Sequence, residues 1–293
     1  MSTPDTAQSS SDRVITTRRL RFDFRRDTVP RYFVDDNIVG SHLVALASAT
    51  FPRGEDFFVH SVRNYRDRIT DPVLKKQVGG FIGQESVHGR EHEEFNELLW
   101  KYGYPTLIVD KMTEVGLGFR AKLPGNKAKL AMTAALEHYT ATFAASLLAD
   151  DHAEQYMPAD EVRQFWAWHA MEESEHKAVA FDVYRAVGGS ERMRVIVMNA
   201  VTVGVLAGLV VGTTLSVLFD KRAWRSPRRV WRDLRRTLDS PFVGPEVWAA
   251  LRDYNRPDFH PDDHDHAELL DRWRTELFGD AGTLTDRIPV RAA

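Results

Sequence analysis

The chain has 293 residues, with 39 Lys and Arg against 42 Asp and Glu, a formal charge of −3, 43% hydrophobic residues, 11 His and no Cys. That length and apolar content allow a sizeable core in one large domain or two ordinary ones, and exclude global disorder. The absence of Cys excludes disulfides, iron–sulfur clusters, thiolate-bound haem, Cys-type zinc sites and a cysteine nucleophile, so any metal must be held by His and carboxylate.

Residues 1–13 are polar, rich in Ser and Thr, and lack an apolar core, so they read as a disordered tail and not as a signal peptide. Residues 1–28 are therefore taken as tail and lead-in, and a cytoplasmic location is expected. Pro52 to Arg68 reads as helical. Asp71-Pro72 opens a long helix to about Tyr102, ended by Gly103 and Pro105. Gly125-Asn126 precedes an Ala-rich helix through Asp150. Pro158-Ala159-Asp160 opens a further helix that continues to Val187 and stops at Gly188-Gly189. With no alternating strand pattern and no solenoid repeat, the expected fold is all-α. It is a four-helix bundle within 29–189, followed by additional C-terminal helices.

Val195–Phe219 holds 25 residues without a charge, enough to cross a bilayer. It forms the core of an expected long apolar helix at 190–222. Gly204, Gly208 and Gly212 recur every four residues, which lets helices approach closely. Lys221, Arg222, Arg225, Arg228, Arg229, Arg232, Arg235 and Arg236 follow, with Trp224 and Trp231 among them, and open a basic helix and C-terminal extension at 223–293. One reading is a membrane-embedded or interfacial helix with a basic, aromatic flank for anionic headgroups. The other is a helix buried in the core or at a homodimer contact. No nucleic-acid partner is expected, because the net charge is near neutral and no recognised binding motif accompanies the basic run.

The chemistry lies in the His and Glu residues. The first helix offers Glu55, the second Glu85-Ser-Val-His88 and then His92, the third Glu137, and the fourth His169, Glu173 and His176, with Glu172 adjacent. At about 100° per residue, Glu85, His88 and His92 fall within roughly 60° of arc, and His169, Glu173 and His176 on a similarly narrow face. Two helices giving one Glu each and two giving Glu-x-x-His is the ligand pattern of a carboxylate-bridged dimetal site in a helical bundle. Glu55, Glu85, His88, Glu137, Glu173 and His176 are the candidate ligands. Such oxygen and imidazole donors suit two iron ions, with manganese or a mixed pair as alternatives. Glu91, Glu93, Glu94 and Glu97 are read as a solvated acidic face, and His92 as a residue supporting the ligands from behind.

The bundle's ligand pattern resembles that of ferritin-like proteins. His169, four residues before Glu173, adds one imidazole to it and resembles the arrangement in the p-aminobenzoate N-oxygenase type of di-iron enzyme, where the extra His also binds iron. That resemblance adds His169 to the ligand set. The segments FPRGEDFFVHSVRNYRDRITDP (51–72), FIGQESVHGREH (81–92) and YNRPDFHPDDHD (254–265) are similar to a bacterial family of predicted metal-dependent hydrolases, over most of the chain from Val29 to His266. The third segment departs from the family pattern, with Asp258 and Asp262 where Gly and Trp are usual. His260, His264 and His266 in that loop are read as part of a solvated acidic surface.

Three functions follow as expectations. The first is a di-iron oxygenase or oxidase that activates dioxygen to oxidise an organic or lipid-like substrate, and it needs an electron donor. The second is hydrolysis by a metal-bound hydroxide. The third is non-catalytic iron binding, which predicts a compact four-helix chain; the C-terminal helices and the apolar stretch argue against it.

Overall fold

The structure is a computed structural model, and it describes residues 14–150 and 156–288. The expected disordered tail at 1–13 lies outside the described residues. Among the described residues the chain is all-α, without strands.

Helix α1 spans Ile38–Arg63, capped by the Asn37 side chain on the Gly40 N–H. It starts well before Pro52, which sits inside it. Proline removes the N–H that would bond the carbonyl four residues earlier. The Asn96 side-chain amide, from the next helix, donates to that Ser48 carbonyl at 3.0 Å. A sequence window starts the helix at Pro52 because it cannot see a donor supplied from elsewhere.

Helix α2, Pro72–Tyr102, begins at the Asp71 cap and ends at Gly103, whose φ of 93° is a left-handed stop that Gly adopts freely. Helix α3, Thr106–Lys122, follows Pro105 and was not foreseen. Helix α4, Asn126–Ala149, matches its expected span. The single helix expected from 160 to 187 is two, α5 at Asp160–His176 and α6 at Val179–Ala186. Lys177 and Ala178 keep right-handed backbone angles, so the chain bends there without reversing. Lys177 is buried and donates to the His264 carbonyl of the C-terminal loop.

Helix α1 packs on α2 and α4, α4 packs on α5 and α6, and α2 packs on α5 and α6, an arrangement compatible with a four-helix bundle. The long apolar helix α7, Glu191–Phe219, lies against α1 and α4. A short turn, α8 at Lys221–Trp224, leads to the basic helix α9 at Pro227–Leu238, which packs on α1. Helices α10, Pro245–Asp253, and α11, Ala267–Phe278, pack on α4 and α5.

Residues 14–24 run without helix over α2 and α5. Gly80 and Gly83 permit this approach: a Cβ on Gly80 would fall 2.4 Å from the Ile15 carbonyl oxygen. Leu20 and Phe22 are buried there. One apolar core centres on Phe81, Leu130, Phe181 and Tyr184, and another on Phe22, Phe95, Phe165 and Trp168. Along α1, α2, α4 and α5 the sequence passes from one core to the other through buried Glu and His.

Candidate metal centre

Every candidate ligand reaches this polar layer. Glu55 of α1, His88 of α2, and His169 and Glu173 of α5 bring ligand atoms within 4.8 Å of one another. Glu85 of α2, Glu137 of α4, and Glu173 and His176 of α5 form a second group within the same limit. Glu173 belongs to both. Their spacing along α2 puts Glu85 and His88 side by side, so that a bridging carboxylate and an imidazole can reach one metal. Here they fall in different groups, although His88 Nδ1 remains 4.0 Å from Glu85 Oε2 and 3.5 Å from Glu173 Oε1. His176 Nε2 lies 2.9 Å from Glu85, 3.3 Å from Glu137 and 3.4 Å from Glu173.

The donors fit a metal pair. Both oxygens of Glu55, Glu85 and Glu137, with Glu173 Oε2, His88 Nδ1 and His176 Nε2, are buried and have no hydrogen-bond partner. Leaving so many polar atoms orphaned in one place is costly unless a cation satisfies them. Four carboxylates balance the charge of two divalent ions, and mixed oxygen and imidazole donors suit iron, manganese or zinc.

The imidazoles are aimed from behind. His88 Nε2 lies 3.0 Å from Glu172 Oε2, and Arg18 of the lead-in donates to Glu172 Oε1 at 2.8 Å. His176 Nδ1 lies 2.9 Å from Gln84 Oε1, while the Gln84 amide donates to Glu175 at 2.8 Å and so fixes which end faces the ring. Ser48 donates its hydroxyl proton to Asn96 Oδ1 at 2.8 Å, so it can only accept from His92 Nδ1, 2.8 Å away. Neutral His92 then accepts through Nε2 from His169 Nδ1 at 2.7 Å. The Nε2 lone pair of His169 is left facing Glu173 Oε1 at 2.9 Å, a contact that a cation makes favourable. His92 thus contacts the candidate ligand His169 on the side away from Glu173.

The same contacts shift the proton affinities of these groups. Burial, then neighbouring carboxylates, push Glu55 and Glu137 well above the usual range, and burial with Glu173 raises Glu85. Against the upward pull of burial, His176, His169 and His88 hold Glu173 well below it. Burial and His88 lower His169 to about 4, and burial with His169 keeps His92 well below its usual value. Against burial, Glu172 and Glu173 push His88 up to about 9, and Glu173 and Glu85 raise His176.

His169 and Glu173 also line an apolar groove of about 2210 Å³, walled by residues such as Ala47 and Phe51 of α1, Met112 of α3, Thr140 of α4 and Leu209 of α7. Phe51 stacks on the His92 ring at 4.5 Å. The groove gives the centre one apolar approach.

Some readings need amending. Glu91 is buried, accepting from the Phe22 N–H at 2.9 Å and from Arg90, whereas Glu93, Glu94 and Glu97 are exposed. His260 pairs with Asp182 and His264 with Asp253, and neither joins a ligand cluster among the described residues. Asp258 has a φ of 59°, the left-handed region where Gly is the easy choice and Asp one of the better substitutes. Arg18, Ser48, Gln84 and Asn96 were missed. Each acts across the fold, and none carries a local spacing signal.

No curated protein and no solved structure matches the chain. A family model described as "Predicted metal-dependent hydrolase" matches residues 16–265, from the lead-in that carries Arg18 to the C-terminal loop. With the matched stretch spanning most of its length and every candidate ligand of the centre, the chain belongs to the family of predicted metal-dependent hydrolases.

Proposed function

We propose that the protein is a dinuclear metal-dependent hydrolase that cleaves an ester or amide carried by an apolar, lipid-like substrate. The observation that carries this reading is the buried ligand cluster opening, at His169 and Glu173, onto an apolar groove. Glu55, His88 and His169 would hold one ion and Glu85, Glu137 and His176 the other, with Glu173 shared. Ions bound there acidify water and polarise a scissile carbonyl. The chain's own part is orientation. Glu172 with Arg18, Gln84, and the His92–Ser48–Asn96 chain each tie the outer nitrogen of one imidazole and leave the inner nitrogen facing the centre. The groove walls would bind the substrate's apolar chain and keep bulk water from it, while the Glu173 side stays open to its reacting end.

A second reading is a di-iron oxygenase, which would need an electron donor and which the three imidazoles and shared carboxylate of this ligand set favour. Metal analysis of the purified protein comes first. Reconstitution with zinc, manganese or anaerobic iron then allows two assays: cleavage of p-nitrophenyl esters of increasing chain length, and oxygen uptake by the ferrous form. Ester turnover that rises with chain length and needs no oxygen supports hydrolysis. Oxygen uptake by the ferrous form with no ester cleavage by any metal form overturns it.

A further inference from the structure

Helix α7 is long and apolar enough to cross a membrane, yet only 11% of its most apolar stretch is buried, so it is not a core helix of this chain. It is also pinned at both ends to the same body. At its start, buried Arg194 donates to the Tyr254 and Arg256 carbonyls. Just past its end, buried Asp220 accepts from the Tyr32 hydroxyl at 2.8 Å and pairs with Arg31 at 3.2 Å. A spanning helix would carry those ends to opposite sides of a bilayer. This one lies along the bundle and turns its outer face away.

Helix α3 has the same character. Ile108, Met112, Val115 and Phe119 fall within about 60° of arc, and all are more than half exposed, Met112 at 69% and Phe119 at 66%. On α7, Val203, Val210, Val211, Leu218 and Phe219 are likewise exposed. Both helices pack on α1, and the groove that reaches His169 and Glu173 is walled by both. Exposed apolar stripes on two helices that flank one groove mark an interaction surface.

Charge identifies what covers it. From Lys221 to Arg236 the sequence has eight basic residues and one acid, Asp233, which is buried. Arg222, Arg225 and Arg228 are exposed and form no ion pair among the described residues. Trp224, 70% exposed, donates its indole N–H to the Leu218 carbonyl, which places an amphipathic ring where the apolar face meets the basic turn. Apolar stripes bordered by Trp and unpaired Arg are what an interfacial helix presents to anionic lipid. A second copy of the chain would also bury the stripes, and the test below separates that outcome.

We propose that α3, α7 and the basic segment at 221–236 seat the protein on the surface of an anionic lipid bilayer, in the plane of the headgroups and without spanning it. The groove then opens into the acyl region. The seating stands independently of the metal chemistry, and its test reads binding alone.

Flotation with phosphatidylcholine vesicles, with and without phosphatidylglycerol, tests it. The wild type should float with mixed vesicles and much less with phosphatidylcholine alone. Replacing Arg222, Arg225 and Arg228 by Gln should weaken binding on the order of a hundredfold. M112E with F119E should abolish it, while circular dichroism and metal content stay unchanged because both side chains are exposed. Failure of the wild type to bind mixed vesicles overturns the proposal. So does a wild-type dimer in solution that M112E with F119E converts to monomer while vesicle binding persists.

Discussion

Ser48 and Asn96 exchange two hydrogen bonds: the Ser48 hydroxyl donates to the Asn96 side-chain carbonyl at 2.8 Å, and the Asn96 amide donates to the Ser48 main-chain carbonyl at 3.0 Å. The first bond sets the proton positions of His92 and His169. The second mends the gap that Pro52 leaves in α1.

Removing that pair should damage both jobs. Asn96→Ala leaves a buried carbonyl unsatisfied, which costs about 1–3 kcal/mol, and should also weaken metal binding roughly 10- to 100-fold. Ser48→Ala, which keeps the main-chain bond, should lose metal affinity with a smaller loss of stability. Urea unfolding and competitive metal titration on both variants separate the two effects. Equal losses of stability in both would show that the bond to the Ser48 carbonyl does not support α1.

The shared position of Glu173 separates it from every other ligand. Glu173→Ala should lower metal content toward zero, whereas Glu137→Ala, confined to one group, should leave about one ion bound per chain. Elemental analysis after dialysis decides this. One ion retained in Glu173→Ala would mean the two groups do not share it.

Acid should loosen the seating of α7. His42, buried and 2.6 Å from the Ser216 hydroxyl, is held below its usual pKa by burial. As pH falls below about 6.5, the unfolded chain takes up that proton first, so stability drops. Asp220, despite burial, is held well below the carboxylate range by His42, the Arg222 N–H, Tyr32 and Arg31. Its contribution is present above about pH 3.9 and is lost as pH falls further. Melting curves should therefore move down steadily in acid, with faster exchange of α7 amides. His42→Gln should flatten the drop between pH 7 and 5. An unchanged pH profile in that variant would remove His42 as the cause.

The groove offers a test of substrate size. Ala47→Phe narrows it at α1 without touching a ligand. KM for long-chain esters should rise about tenfold or more, while kcat for a short ester holds, as expected for lost binding of one or two methylene groups or more. An equal loss for short and long esters would place the substrate chain elsewhere.

Much of the centre was readable because its ligands repeat at helical spacing between clear helix stops, such as Asp71-Pro72 and Gly103. The start of α1 was not readable, since the donor that lets it run through Pro52 comes from Asn96, more than 40 residues away. Helix α3 escaped because no side chain caps its start and Gly116 and Gly118 interrupt its apolar residues. The split of Glu85 and His88 between two groups depends on the relative rotation of four helices, which spacing along one of them does not specify.

Arg18 has a practical consequence for anyone who reduces this protein to its helices. A chain trimmed to begin at α1 keeps all seven candidate ligands yet leaves buried Glu172 without Arg18, so the carboxylate that aims His88 loses the guanidinium that holds its other oxygen. The smallest piece that behaves as the intact metal centre therefore has to include residues 14–24, a stretch with no helix of its own.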